Sequence, residues 1–198
     1  DTITKQVKAF SFIKAQINVA NTIGCHPFTV NINNNSSGAS GLQPYVWNLG
    51  DGSFSNNTNI SKTYYNSGVI DSVYKVILTA TSSHLCQDKD SVNITVHPYV
   101  KANFSMPVAE GCQPFNISFT NLSEQANDYS WTFGDGKTST TASPSHTFTN
   151  SNPNADSVYN VTLVSRATSS GCTDTITKQV KAFSFIKAQI NVANTIGC

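Results

Sequence analysis

The sequence predicts an all-β protein that contains two antiparallel β-sandwiches in tandem. Apolar and polar residues alternate in several short runs, as at Phe28, Val30 and Ile32, which is the pattern of a strand with one buried face. No stretch shows the 3.6-residue period of an amphipathic helix. Turn-rich segments such as NNNSSGASG and TNSNPNAD separate the runs. Several short strands divided by turns favour a sandwich of two sheets.

The chain repeats itself approximately, at offsets of 84 to 87 residues. Three pairs of segments carry this repeat: GCHPFTVNI at 24–32 with GCQPFNISF at 111–119, WNLGDGS at 47–53 with WTFGDGK at 131–137, and DSVYKVILTATSS at 71–83 with DSVYNVTLVSRATSS at 156–170. The repeat predicts two diverged modules of one fold, at residues 14–98 and 99–185.

The strands are expected in the same order in both modules. A strand follows each Gly-Cys pair, then a strand that contains a tryptophan, then a Gly-Asp-Gly turn, and finally a long hairpin. The alternating apolar residues of the hairpin are Tyr74, Val76, Leu78, Val92, Ile94 and Val96 in the first module and Tyr159, Val161 and Leu163 in the second. We expect Trp47 and Trp131 to lie in the two cores rather than on a sugar-binding surface.

A second repeat is exact: residues 1–25 and 174–198 are identical, at a spacing of 173 positions. Surface positions drift freely, so identity over 25 residues indicates a recent copy and predicts one period of a longer array. A chain designed with overlapping ends is the alternative. In an array, residues 1–13 are the closing strand of a preceding module, and residues 186–198 are the opening strand of the next one.

Composition excludes several classes of function. Asn, Ser and Thr supply 69 of 198 residues, charged residues are 12%, and the net charge is +1. This balance provides no basic surface for nucleic acid. No apolar run approaches the roughly 20 residues that span a bilayer.

The Gly-Asp-Gly turns are the most distinctive local motif. Their aspartates, Asp51 and Asp135, are expected to hydrogen-bond to their own turns. Calcium is the alternative partner of these carboxylates. Each turn has only one carboxylate and no D-x-D-x-D spacing, which disfavours calcium. The glycines, which permit the positive φ of a tight turn, are Gly50, Gly52, Gly134 and Gly136.

WNLGDGS and WTFGDGK, each followed by a Tyr-x-Val-x-Leu strand, resemble the W-x-F-G-D-G signature of PKD domains. The PSHTF segment at 144–148 is similar to the family's P-x-H-x-Y/F element, whereas the first module has SKTYY at 61–65. Asn48 and Thr132 stand where the family more often has Asp. The resemblance implies immunoglobulin-like sandwiches that serve as spacers, adhesins or appendages of secreted enzymes.

Cysteine spacing gives each module one pair, which predicts the disulfides Cys25–Cys86 and Cys112–Cys172. Cys198 is the copy of Cys25 and is expected to pair beyond residue 198. Structural zinc is the rival, but the chain has no C-x-x-C motif. Disulfides indicate an oxidising compartment outside the cytosol.

Asp followed by Ser or Thr and an aliphatic residue occurs five times and resembles an O-glycosylation motif of secreted Bacteroidota proteins. The predicted glycan acceptors are Thr2, Ser72, Ser91, Ser157 and Thr175. A sequence at the start of a strand that every module inherited through duplication explains the motif equally well.

Catalysis has little support in the sequence. The acids occur singly, the four histidines are scattered, and no G-x-S-x-G or H-E-x-x-H motif occurs. His146 is expected to pack near the Gly-Asp-Gly turn of its own module. We therefore expect a protein that is not an enzyme and needs no cofactor.

Short connections between modules complete the sequence-based interpretation. VHPYVK at 96–101 and VKAFSFIK at 180–187 contain neither Gly nor a Ser-rich tether, which favours a semi-rigid rod whose modules contact their neighbours. The chain resembles the PKD-repeat adhesins that Bacteroidota export by the type IX pathway. The resemblance implies a noncatalytic filament or stalk at the cell surface, with surface glycans or proteins as targets and lateral self-association between rods. The alternative is a spacer or carbohydrate-binding appendage of a secreted hydrolase.

Overall fold

The computed structural model describes residues 3–8 and 12–185. Across these residues every regular element is a strand, so the predicted all-β class is confirmed. No helix within this described part could cross a membrane. The chain divides into two compact units, residues 1–99 and 100–198.

The first unit is a sandwich of a three-stranded and a five-stranded sheet. Its strands are β1 (Ile17–Val19), β2 (Ile23–Cys25), β3 (Phe28–Asn34), β4 (Tyr45–Asn48), β5 (Phe54–Ser55), β6 (Ile60–Tyr64), β7 (Ser72–Thr81) and β8 (Gln87–His97). The sheets have the orders β1-β3-β6 and β2-β8-β7-β4-β5. All pairs are antiparallel except β2 with β8, which is parallel.

The second unit has the same plan with a divided third strand. Its strands are β9 (Phe104–Ser105), β10 (Glu110–Cys112), β11 (Phe115–Ser118), β12 (Thr120–Asn121), β13 (Asp128–Thr132), β14 (Thr138–Ser139), β15 (Ser145–Phe148), β16 (Ser157–Arg166) and β17 (Thr173–Phe183). The large sheet has the order β10-β17-β16-β13-β14, while β11-β15 and β12-β9 are short two-stranded sheets. β10 is parallel to β17, as β2 is to β8.

Each unit has its own core between its sheets, and the period-two alternation places the core residues there. Trp47 lies in the first core and Trp131 in the second, and both are fully buried. The alternating residues of the long hairpins, such as Val76 and Leu78, point into the same cores. The prediction that both tryptophans are core residues is confirmed.

One sequence occurs in two structural settings. Residues 3–8 are identical to 176–181, which belong to β17 and pair with β16. Val180 in β17 is 0% exposed, whereas its copy Val7 is 95% exposed and lies in no strand. The segment therefore forms a strand in the second unit, where β16 lies beside it as a hydrogen-bonded partner strand.

Candidate functional sites: the Gly-Asp-Gly turns and the cysteines

The turn between β4 and β5 requires glycine for two reasons. Gly50 has a φ of 81° and Gly52 a φ of 87°, a region that residues with a Cβ rarely adopt. A Cβ on Gly50 would also lie 2.8 Å from the backbone nitrogen of Lys75 in β7. The turn thus lies directly against the neighbouring long strand.

The turn between β13 and β14 has the same backbone in the second module. Gly134 has a φ of 81° and Gly136 a φ of 87°, the same values as in the first turn. A Cβ on Gly134 would lie 2.8 Å from the backbone nitrogen of Asn160 in β16, so this turn also lies against the long strand beside it. The positive φ expected at the four turn glycines is therefore observed in both modules.

Asp51 holds the first turn together through both carboxylate oxygens. Its Oδ1 accepts hydrogen bonds from the Ser53 backbone N–H at 3.0 Å and from the Ser53 hydroxyl at 2.5 Å. Its Oδ2 lies 2.6 Å from Nζ of Lys62 in β6. Burial alone would raise the pKa of Asp51, but the hydrogen bonds from Lys62 and Ser53 outweigh it and lower the pKa to about 2.

The second module builds the same turn with a histidine in place of the lysine. The Lys137 backbone N–H donates to Oδ1 of Asp135 at 3.0 Å, and Nε2 of His146 in β15 lies 2.7 Å from Oδ2. The His146 ring stacks on Phe133, with ring centroids 4.0 Å apart. Burial opposes ionisation of Asp135, yet the hydrogen bonds from His146 and Lys137 lower its pKa. The prediction that His146 packs near this turn is confirmed.

Lys62 is a site residue that the sequence comparison passed over. SKTY at 61–64 and SHTF at 145–148 occupy the same position in the two modules, so Lys62 replaces His146 as the partner of the turn carboxylate. Both aspartates are thus engaged by turn N–H groups and by a side chain from the opposite sheet. Among the described residues, no group of three or more His, Cys, Asp and Glu residues is placed to hold a metal ion.

A buried asparagine, also missed by the sequence analysis, closes each module. The Asn66 side chain donates from Nδ2 to the carbonyls of Ile70 at 2.8 Å and Val96 at 2.7 Å. Asn150 donates in the same way to Ala155 and Ala182. Each asparagine therefore ties the loop before the long hairpin to the last strand of its module. The signal in the sequence was an Asn-Ser pair shortly before each DSVY segment, with Asn66 five positions before Asp71 and Asn150 six positions before Asp156.

The cysteines do not form the pairs that the sequence analysis predicted. Cys25 in the first unit and Cys172 in the second are disulfide-bonded, while Cys86 and Cys112 are exposed free thiols. Cys25–Cys86 and Cys112–Cys172 are therefore wrong as within-module pairs. Cys198 lies outside the described residues.

Strand register gives the physical reason for this correction. Cys25 pairs in parallel with His97, the last residue of β8, whereas Cys86 directly precedes Gln87, the first residue of β8. The 11 residues of β8 place the two cysteines about 36 Å apart at 3.3 Å per residue. A disulfide needs Cα atoms within about 7 Å, so the two cysteines of the first unit cannot meet.

The same geometry separates the cysteines of the second unit. Cys112 pairs with Phe183 at the end of β17, and Cys172 directly precedes Thr173 at its beginning. Sequence spacing alone could not show this, because the parallel pairing of β2 with β8 and of β10 with β17 was not part of the prediction.

The Asp-Ser/Thr motifs have a structural role through their aspartates. Asp90 Oδ2 accepts a hydrogen bond from the Ile17 N–H at 2.7 Å, and Asp174 Oδ2 accepts one from the Ala102 N–H at 2.8 Å. Asp71 Oδ1 lies 2.8 Å from Nδ1 of His97. These contacts tie the beginning or the end of a module to its long hairpin.

The predicted glycan acceptors differ in exposure. Ser91 and Thr175 are exposed, Ser72 and Ser157 are half-buried, and Thr2 lies outside the described residues. O-glycosylation of these residues stays a prediction.

Two immunoglobulin-like sandwiches in tandem, each with a tryptophan core and a Gly-Asp-Gly turn, define a class of modular β-proteins. The PKD domain profile matches residues 14–96 and 95–182. The chain therefore belongs to the PKD-domain family. No curated protein matches it.

Solved structures with a similar fold include two PKD domains of Vibrio proteins. The PKD1 domain of the Vibrio cholerae metalloprotease PrtV is 28% identical, with 43% of this chain and 99% of that one covered and a TM-score of 0.35. The PKD1 domain of Vibrio anguillarum Epp is 24% identical, with 43% and 95% covered and a TM-score of 0.35. A tetra-tandem repeat from the extending region of a large adhesion protein is 16% identical, with 87% and 50% covered and a TM-score of 0.28.

Proposed function

We propose that this chain is a noncatalytic structural repeat of a long extracellular stalk or filament that carries adhesive function to a distance from the cell. The proposal also includes the type IX export route of Bacteroidota adhesins, which is supported by the residue resemblance alone. PKD membership supports a modular extracellular role, and the disulfide-bonded Cys25 and Cys172 support an oxidising compartment.

One observation carries the proposal: the contrast between β17 and its copy at the start of the chain. Val180 is fully buried and Ile176 is half-buried in the second unit, so this segment has the sequence of a closing strand. The copies Val7 and Ile3 are 95% and 83% exposed. An identical segment before the first module is accounted for if a further module of the same kind precedes it in an array.

Short connections support a stalk rather than a set of loosely tethered domains. Only the four residues 98–101 lie between His97, the last residue of β8, and Ala102, whose N–H donates to Asp174. This connection includes Pro98 and no glycine. A connection of this length and composition restricts the angles between successive modules more than a Gly/Ser linker does.

The size and location of the native protein test this function. An antiserum against the 198-residue chain is applied to reduced cell extracts and to intact cells before and after protease treatment. We expect a surface-exposed species many times larger than 21.3 kDa, with limited proteolysis giving a ladder spaced by about 19 kDa, the mass of 173 residues. A product that carries two modules beside a hydrolase domain would instead support the enzyme-appendage alternative.

A further inference from the structure

We propose that the first module binds a neutral sugar ring in a notch at the open edge of β3. The notch has a volume of about 150 Å³ and is lined by Ala20, Asn21 and residues 28–31. All of these residues belong to the first unit. None of them is charged, so the ligand that fits is a neutral one. The volume suits one small ring, since pockets for drug-sized ligands measure roughly 300–1,000 Å³.

The notch exists because β1 covers only part of β3. Residues 32–34 of β3 pair with β1, whereas residues 28–32 pair with β6 on the other side. After Val19 the chain leaves this sheet and enters the five-stranded sheet as β2, beside β8. Ala20 would be the next residue in register, opposite Asn31, but it lies at the notch instead of in a strand pair. The beginning of β3 therefore has a strand neighbour on the β6 side only.

Backbone groups of β3 point into this gap. The Asn35 N–H, just after β3, donates to the Gln16 carbonyl at 2.8 Å and therefore faces the β1 side. Backbone N–H and C=O groups alternate between the two sides of a strand from one residue to the next. Those of Thr29 and Asn31 consequently face the same side as Asn35. Each of the two residues presents one donor and one acceptor where no strand of the sheet covers them.

Two side-chain amides add recognition groups at the rim of the notch. Asn21 and Asn31 are both exposed, and an amide provides an acceptor oxygen and two donor hydrogens. The Thr29 hydroxyl lies 2.8 Å from the Thr63 hydroxyl. The two amides are therefore better placed than this hydroxyl to bind a ligand.

Phe28 forms an apolar wall that is held in position. A Cβ on Gly24 would lie 2.2 Å from Cδ2 of Phe28, so the ring lies directly against the Gly24 backbone. The half-buried ring and Ala20 give the notch apolar surface for the C–H groups of a sugar. A wall that is already in place costs little ordering entropy when a ligand binds.

The lining favours a sugar over an added peptide strand. Each sugar hydroxyl can both donate and accept a hydrogen bond, which matches a site that mixes N–H, C=O and amide groups. A peptide strand would need a continuous open edge, but β1 occupies the edge from Ile32 onward. Only Thr29 and Asn31 are left to pair with it, whereas an ordinary strand has about five residues.

The second module differs at the positions that close the notch. KAQINVANTIGC at 14–25 corresponds to KANFSMPVAEGC at 101–112, so Pro107 and Val108 stand in place of Ala20 and Asn21. Proline has no backbone N–H, and valine has no amide side chain. The second module is therefore a control within the same chain.

The consequence for adhesion rests on the array proposed above, whereas sugar binding by the first module does not. In an array the notch recurs once in every 173 residues, and many weak sites on one chain bind a surface more tightly than one site does. Failure of the array would leave the single site intact, and failure of the site would leave the array intact.

Amide NMR of the ¹⁵N-labelled 198-residue chain tests the site, with methyl glycosides of glucose, galactose, mannose and N-acetylglucosamine as probes. We expect at least one glycoside to shift the Thr29 and Asn31 signals saturably, with a Kd on the order of 1–10 mM. The corresponding signals of Asn116 and Ser118 in the second module should not move. No saturable shift with any of these glycosides up to about 100 mM, or equal shifts in both modules, would overturn the proposal.

A pair of variants separates recognition from a general effect on the module. Asn21→Val gives the first module the residue of the second and should weaken glycoside binding about tenfold, because a hydrogen bond is lost. Asn33→Val makes the same change at an exposed position of β3 outside the notch and should leave the Kd unchanged. Equal weakening by both variants would contradict the site. The proposal is also wrong if the peptide acetyl-Thr-Val-Thr-Val-amide shifts the Thr29 and Asn31 signals and no glycoside does.

Discussion

The ion pair of Asp51 with Lys62 shows how a repeated turn can keep its chemistry with a different side chain. The carboxylate accepts a hydrogen bond from a turn N–H in both modules, and its other oxygen contacts either Lys62 or His146 from the opposite sheet. A substitution here changes the charge balance of the turn but leaves its backbone intact, since the glycines set the turn conformation.

Asp51 gives the first module a stability that depends on pH. Because folding lowers the pKa of Asp51 from 3.8 to about 2, its contribution is present above pH 4 and is lost as the pH falls towards 2. Because Asp51 is exposed and solvent screens its ion pair, we expect Asp51→Asn to lower the unfolding free energy by about 1 kcal/mol at pH 6, and by less at pH 2.5. Urea unfolding followed by tryptophan fluorescence measures this, and an equal loss at both pH values would contradict it.

The buried asparagines make a larger and pH-independent contribution. We expect Asn66→Ala to cost about 2–3 kcal/mol, because the buried Val96 carbonyl loses its Asn66 donor. Asn150→Ala should cost a similar amount in the second module, where Ala182 loses the same contact. The control is Asn56→Ala at an exposed position, which should change stability by less than about 0.5 kcal/mol. Equal effects at positions 56 and 66 would argue against a structural role for these asparagines.

At the scale of elements, the repeated segment shows that one sequence forms a strand in one place and no strand in another. Residues 176–181 are a strand in β17 because β16 pairs with all six of them, whereas their copies at 3–8 are in no strand. Propensity is the same in both places, so tertiary pairing decides the outcome.

This comparison yields a matched pair of variants. Val180→Asp places a carboxylate in a fully buried position of the second core and should destabilise that module by about 4 kcal/mol or more. Val7→Asp changes the same residue in the same local sequence, at an exposed position, and should change stability by less than about 0.5 kcal/mol. Denaturant unfolding of the two variants measures the change in unfolding free energy that each substitution causes. A large loss for Val7→Asp would show that residues 3–8 are part of a packed element.

Sequence reasoning predicted the strands that alternate strongly, the two tryptophan cores and the Gly-Asp-Gly turns. These features are local, so residue spacing determines them. It failed for the cysteines because their pairing depends on strand direction. β2 runs parallel to β8, and the single strand β8 then separates Cys25 from Cys86 by its full length. Short edge strands such as β2, with three residues, carry too little pattern for this pairing to be predicted.

At the scale of the whole molecule, the proposed stalk is an array of PKD modules that each have a core of their own. Pulling on such an array is expected to unfold the modules one after another, and each module then releases its own length of chain.

Single-molecule stretching of the native protein in the presence of a reductant tests the array most directly. We expect a long series of unfolding events of about 300 Å in contour length, because each module releases some 85 residues. A trace with only two such events would contradict the array.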